Sequence, residues 1–198
     1  MNIEIIPLLS FVVITTFTPG PNNISSASMG VLYGYKRTVH YLAGIASGFF
    51  VIMLACAYLS STLLTVVPVA QYYLRWIGAG YIVWLAICTL RSSYSFSDSG
   101  AVARAFTKGF ILQLFNPKVA VYGLTLYSTF LVPIAGRLDY LSLSALTFAM
   151  TAFAATSTWA LFGAAIRKKL RSNRFQNVVN TTLCLLLVYT AVDLLEFW

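Results

Sequence analysis

The chain has 198 residues, of which 59% are hydrophobic and only 9% are charged, with a net charge of +8. In soluble domains roughly a quarter of the residues are charged, so this composition predicts an integral membrane protein and excludes a soluble one. The positive charge does not indicate nucleic-acid binding, because the basic residues lie in short stretches between apolar segments. Three cysteines without a CxxC pair favour neither a disulfide framework nor a zinc site, and no metal or cofactor is predicted.

Apolar segments follow one another along the whole chain. Each meets the roughly 20 residues that a transmembrane helix requires. Their approximate bounds are 5–33, 41–67, 72–90, 106–133, 140–165 and 178–197. The sequence therefore predicts an all-α, polytopic membrane protein with six transmembrane helices, formed as one transmembrane domain over residues 1–198.

The first segment is interrupted near its middle by the sequence TPGPNN. This stretch comprises Thr18, Pro19, Gly20, Pro21, Asn22 and Asn23. A proline inside a helix lacks the N–H for a hydrogen bond and clashes with the carbonyl group one turn earlier. In hydrocarbon, the backbone groups freed by the break need partners in the protein or in a water-filled cavity. We therefore predict two half-helices that meet near the middle of the membrane.

A second interruption, FNPK, lies inside the fourth segment. Its polar and helix-breaking residues are Gln113, Asn116, Pro117 and Lys118. Paired interruptions in the two halves of a polytopic chain are the sequence sign of a transporter site. Division near residue 100 gives three spans in each half, so 1–100 and 101–198 are predicted to form an inverted repeat with broken helices 1 and 4. The two breaks are predicted to face each other.

Basic residues predict the orientation. Ten of the 13 lie in the first, third and fifth connections. These residues are Lys36, Arg37, Arg91, Arg104, Lys108, Arg167, Lys168, Lys169, Arg171 and Arg174. The positive-inside rule places these connections in the cytoplasm and both termini in the periplasm.

Lys118 is the most informative single residue, because a lysine inside an apolar segment is costly and marks function in many membrane proteins. One interpretation is a cation that faces the cavity and meets a carboxylate. The other is a lysine that satisfies the carbonyl groups freed at Pro117. Hydroxyl residues such as Tyr122 and Thr156 are less diagnostic, since threonine hydroxyls bond to their own helix.

The motifs TPGPN and FNPK, on about 200 residues with six predicted spans, resemble the LysE/RhtB family of bacterial amino-acid exporters. The stretches YLAGIASGF and LQLFNPKVAVYGLTLYSTFLVP are similar to its cysteine and O-acetylserine exporter branch. The resemblance implies inner-membrane export of small neutral amino acids or their derivatives, with the proton-motive force as energy source and a proton as coupling ion. It covers essentially the whole chain and places Pro19 to Asn22 and Asn116 to Lys118 at the site.

Three other classes of membrane protein are alternatives to an exporter. No feature of the sequence rules out a channel or a structural membrane protein. A counterflow assay would distinguish these from a carrier, because only a carrier shows trans-stimulation. A thiol–disulfide electron carrier needs cysteines at a break, but none adjoins Pro19 or Pro117. A membrane enzyme is disfavoured because no HExxH, GxSxG or paired intramembrane carboxylates occur. Small-molecule substrate and membrane lipid are the predicted partners, and whether the chain is a monomer or a homodimer stays open.

Overall fold

The computed structural model describes residues 3, 5–90 and 101–166, and further along the chain 177–178, 181–182, 184–189 and 192. Within these ranges every regular element is a helix, which confirms the predicted all-α class. The main helices are α1 (Ile5–Phe17), α2 (Pro21–Tyr33), α3 (Tyr35–Leu90), α4 (Ala101–Leu114), α5 (Pro117–Thr125) and α6 (Leu138–Ile166).

The predicted break in the first segment is confirmed. α1 ends at Phe17 and α2 begins at Pro21, with a bend of 46° between them. Proline is well suited to the first position of a helix, where its missing N–H has no intrahelical acceptor in any case. α2 ends at Tyr33. Its C-cap is Gly34, whose φ of 75° lies in the left-handed region that glycine adopts without strain, and α3 follows at once.

The predicted break in the fourth segment is also confirmed. α4 ends at Leu114 and α5 begins at Pro117, so proline again opens the second half-helix. α5 continues into a π-helical turn, Leu126–Phe130, and a short 3-10 turn, Val132–Ile134. α6 then covers Leu138–Ile166, close to the predicted 140–165.

The second and third predicted segments differ from the structure. In place of two helices over 41–67 and 72–90, residues Tyr35–Leu90 form one helix of 56 residues. The connection expected near 68–71 contains Pro68 but no glycine, and the nearest glycines are Gly48 and Gly78. A single proline removes only one helical hydrogen bond, and here the helix continues through it. At about 1.5 Å per residue this helix is about 84 Å long, well beyond the roughly 30 Å of a hydrocarbon core.

By length and apolarity, two helical stretches among the described residues suffice to cross a membrane, Tyr35–Tyr58 and Leu138–Ile166. The bent pair α1–α2 makes a third if it is counted as one span. Six spans and the inverted repeat therefore remain predictions. Most of the third and fifth connections, 91–100 and 167–176, and half of the sixth segment lie outside the described residues.

Close packing at glycines holds the helices around the breaks. A Cβ on Gly30 of α2 would collide with the backbone carbonyl of Ala160 in α6, and Gly163 stands in the same relation to Ala27. Gly44 of α3 is pressed equally closely against the backbone of Phe106 in α4. Small residues allow such backbone approach in membrane helices. These contacts fix α2 on α6 and α3 on α4, and so position the two breaks.

Candidate functional site

The two helix breaks are in direct contact. Asn116 Nδ2 donates a hydrogen bond of 2.9 Å to Asn22 Oδ1. Lys118 Nζ donates to Thr18 Oγ1 at 3.1 Å. The contacts join residues more than 90 positions apart and bring the predicted motifs to one place.

Beside this contact lies a cavity of about 40 Å³. It has room for about three water molecules, since one requires roughly 10–15 Å³. Its walls come from α1, the two breaks, α3, α5 and α6. They are Thr15, Thr16, Gly20, Pro21, Asn22, Asn23, Phe49, Asn116, Lys118, Val119, Tyr122, Ala152 and Thr156.

The predicted site residues take different positions relative to this cavity. Six line it directly: Gly20, Pro21, Asn22, Asn23, Asn116 and Lys118. Thr18 is exposed and reaches the site through its bond to Lys118, whereas Pro19 is exposed and outside the lining. Pro117 begins α5, and Gln113 lies behind Asn22.

Three side-chain amides form a relay across the breaks. Asn116 donates to Asn22, and Asn22 Nδ2 in turn donates to Gln113 Oε1 at 2.6 Å. Gln113 is fully buried, and a Cβ on Gly48 would lie only 2.8 Å from its Cβ. The glycine of α3 therefore provides the space in which Gln113 packs.

The direction of this relay follows from the helix cap. Asn116 Oδ1 accepts from the backbone N–H of Lys118 at 3.2 Å, which caps α5. Because a backbone N–H only donates, the atom facing it is the oxygen, and Asn116 must turn its NH₂ group to Asn22. Each later amide is oriented in turn, so Gln113 receives a bond at its oxygen. Its buried Nε2 has no partner among the described residues.

The carbonyl groups freed at the end of α1 have partners in the protein. Asn23 Nδ2 donates to Thr16 O and to Thr18 O, both at 2.8 Å. Trp159 Nε1 of α6 donates to Phe17 O at 3.2 Å. Each of these three carbonyls therefore already accepts a hydrogen bond within the protein. Buried Asn23 is therefore a structural clamp on the break.

The start of α2 is different. Its N-cap residue is Gly20, which offers no side-chain cap, and Pro21 has no N–H. Among the described residues, no acceptor bonds to the backbone N–H of Asn22 or Asn23. Such a helix start carries roughly half a positive charge. Together with the Lys118 ammonium, it makes this end of the cavity a place for an anionic group.

Residues outside the predicted motifs complete the walls. Phe49 and Ala152 are apolar and give no polar signal in the sequence, while Thr16 is one threonine among several. Thr156 had a recognisable signal as a polar residue within an apolar segment. Its hydroxyl donates to Ala152 O at 2.8 Å and to Phe153 O at 3.1 Å, which leaves oxygen lone pairs as acceptors.

A pair of interrupted helices whose breaks meet beside a small cavity is typical of membrane transporters. Comparison with known proteins agrees: residues 13–196 match the family of LysE type translocators. The chain therefore belongs to this family, and it is a transporter and not an enzyme.

Relatives with a described function are similar over nearly the whole chain. The cysteine/O-acetylserine efflux proteins of Escherichia coli (strain K12), Shigella sonnei and Shigella flexneri are each 36% identical over 183 residues. The match covers 92% of this chain and 93% of each of those proteins. No solved structure matches the chain significantly.

Proposed function

We propose that this chain exports small neutral amino acids and their derivatives, with cysteine and O-acetylserine as expected substrates, across the bacterial inner membrane by alternating access. The observation that carries the proposal is the cavity at the two breaks, where the Lys118 ammonium lies beside the uncapped start of α2. The efflux function of the relatives supports the direction of transport.

The substrate carboxylate binds at this positive end. A Cβ on Gly20 would lie 3.3 Å from Lys118 Nζ, so the glycine leaves room for a ligand oxygen beside the ammonium. The N–H groups of Asn22 and Asn23 supply two further donors. A charged donor and a helix start acting on one carboxylate give short, strong hydrogen bonds.

The substrate ammonium group binds to neutral oxygens. Thr156 Oγ1 and Asn22 Oδ1 are acceptors on the walls. Among the described lining residues none is Asp or Glu. A second positive charge, as on a basic amino acid, would therefore have no counter-ion in a poorly solvated site, which is costly. This supports a neutral side chain on the substrate.

The volume supports a small substrate. A cavity of about 40 Å³ favours a small ligand, and we expect it to widen when an amino acid binds. Its apolar wall is formed by the rings of Phe49 and Tyr122. These rings limit how far a side chain extends from the carboxylate end.

Proton coupling and orientation complete the proposal. Lys118 is the lysine within the breaks, so release and uptake of its proton is the coupling route that the residues offer. Export against a gradient in proteoliposomes with an imposed pH difference tests this. The first, third and fifth connections lie in the cytoplasm and both termini in the periplasm, in accordance with the basic residues.

The deciding experiment replaces Lys118. Methionine keeps much of the length of the side chain but removes the charge and all three donors. We expect Lys118→Met to insert normally and to lose most export of cysteine and O-acetylserine. Arginine spreads its charge over a planar fork, so Lys118→Arg should restore little. Lys108→Met, at an exposed position of α4, is the matched control and should export normally.

Export is measured per inserted molecule. Lys118 also bonds to Thr18, so a structural role would lower the amount of folded protein and leave the rate per molecule intact. An undiminished normalised rate in Lys118→Met would remove the lysine from the mechanism. Absence of export by the unaltered protein, for a panel of neutral amino acids, would refute the function itself.

A further inference from the structure

Tyr122 carries a buried hydroxyl group without a hydrogen-bond partner at the wall of the cavity. The residue is only 4% exposed. Its Oη has no hydrogen-bond partner among the described residues. Thr16, another lining residue, is close enough to interact with it but lacks the geometry of a hydrogen bond. Buried hydroxyls are nearly always bonded, so this one calls for a partner.

Aromatic rings from three helices fix the Tyr122 ring. Phe11 of α1 stacks on it with the ring centres 5.5 Å apart. Phe49 of α3 is tilted against it at 5.7 Å, and Phe148 of α6 meets it edge-on at 6.3 Å. The hydroxyl is therefore held in one position before any ligand arrives, as a selective contact requires.

Tyr122 lies on α5 one helical turn from Lys118, the residue proposed to bind the substrate carboxylate. Tyr122 follows Lys118 by four residues, so the two lie on the same face of the helix, about 6 Å apart along its axis. A small amino acid held by its carboxylate at Lys118 extends its side chain over this distance. The next tyrosine, Tyr127, lies outside the lining and already bonds to Ser144 Oγ at 3.0 Å.

We propose that Tyr122 determines specificity by hydrogen bonding, through its hydroxyl, to the polar atom of the substrate side chain. The inference rests on the proposed function and specifies it: the site selects amino acids with a hydroxyl, thiol or ester group over apolar ones of equal size. The hydroxyl is buried in this structure. Widening of the cavity by the substrate brings the two groups together.

The test uses serine and 2-aminobutyrate, which differ only by a hydroxyl group in place of a methyl group. The full chain is reconstituted in liposomes, and counterflow rates are measured for both amino acids. We expect the ratio of serine to 2-aminobutyrate rates to fall about fivefold in Tyr122→Phe, the size expected for one neutral hydrogen bond. Tyr127→Phe is the matched control, since it removes a bonded hydroxyl away from the cavity and should leave the ratio unchanged.

The stability of the Tyr122→Phe variant distinguishes a role in substrate specificity from a role in holding the fold together. Tyr122→Phe keeps all three ring contacts and deletes an unpartnered hydroxyl, so its yield and thermal stability should equal or exceed those of the unaltered protein. An unchanged ratio, or a variant that fails to fold, would overturn the proposal. If the unaltered protein shows counterflow of no neutral amino acid, the proposed function fails, and this inference fails with it.

Discussion

The amide relay across the breaks predicts that substitution of Asn22, at its middle, lowers the free energy of unfolding more than substitution of Gln113, at its end. Asn22 holds two partners, Asn116 and Gln113, both of which are buried. Leucine at position 22 has a similar volume but makes neither bond. Gln113 makes only one bond within the relay, and its Nε2 is already without a partner.

The size of the effect follows from this count. Hydrogen bonds between membrane helices contribute about 0.6 kcal/mol on average and at most about 1.7 kcal/mol. Loss of two bonds in Asn22→Leu therefore lowers the free energy of unfolding by about 1–3 kcal/mol. Gln113→Leu loses one bond but also removes a buried, unpartnered NH₂ group. These two effects nearly cancel, so its net change is below about 1 kcal/mol.

Unfolding of the purified protein in mixed detergent micelles, followed by tryptophan fluorescence, measures both variants. The double variant Asn22→Leu with Gln113→Leu should be more stable than Asn22→Leu alone, because it no longer leaves the Gln113 side chain unpaired. Equal losses from the two single substitutions, or a double variant with the sum of both losses, would refute the direction assigned to the relay.

Two further predictions concern the site and the topology. Gly20→Ala should fold normally, since φ at this residue is an extended −176°. It should export slowly, because its Cβ would lie 3.3 Å from Lys118 Nζ. The control is Gly80→Ala, whose Cβ would have nothing within 4 Å, and equal export rates of the two variants would contradict the proposed site. Cysteines introduced within 91–105 should resist labelling from the periplasm in intact cells. Strong labelling there would reverse the orientation.

The helix breaks were predictable from the sequence because their cause is local. A proline lacks the N–H of a helical hydrogen bond and clashes with the preceding turn, so Pro21 and Pro117 favour breaks at which a new half-helix begins, although α3 continues through Pro68. That the breaks meet was predicted from their corresponding positions in the two halves of the chain. The contact between Asn22 and Asn116 confirms it.

Features that depend on packing were less accessible. Phe49 and Ala152 reach the cavity wall because of the way α3 and α6 pack, and nothing in their own stretches distinguishes them from other apolar residues. The single helix through 59–90 was missed for a related reason. Six spans require a connection near residues 68–71, whereas these residues include one proline and no glycine.

The two breaks have similar sequences but leave different groups for a ligand. At the start of α5, the Asn116 side chain accepts from the Lys118 N–H and occupies the helix end. At the start of α2, Gly20 has no side chain with which to do so, and the N–H groups of Asn22 and Asn23 keep their capacity to donate. Since the Lys118 side chain reaches across to this uncapped end, the helix dipole and the ammonium act on the same point. For the proposed substrate, this geometry predicts one favourable orientation of the zwitterion, with its carboxylate at Gly20 and its side chain extended along α5.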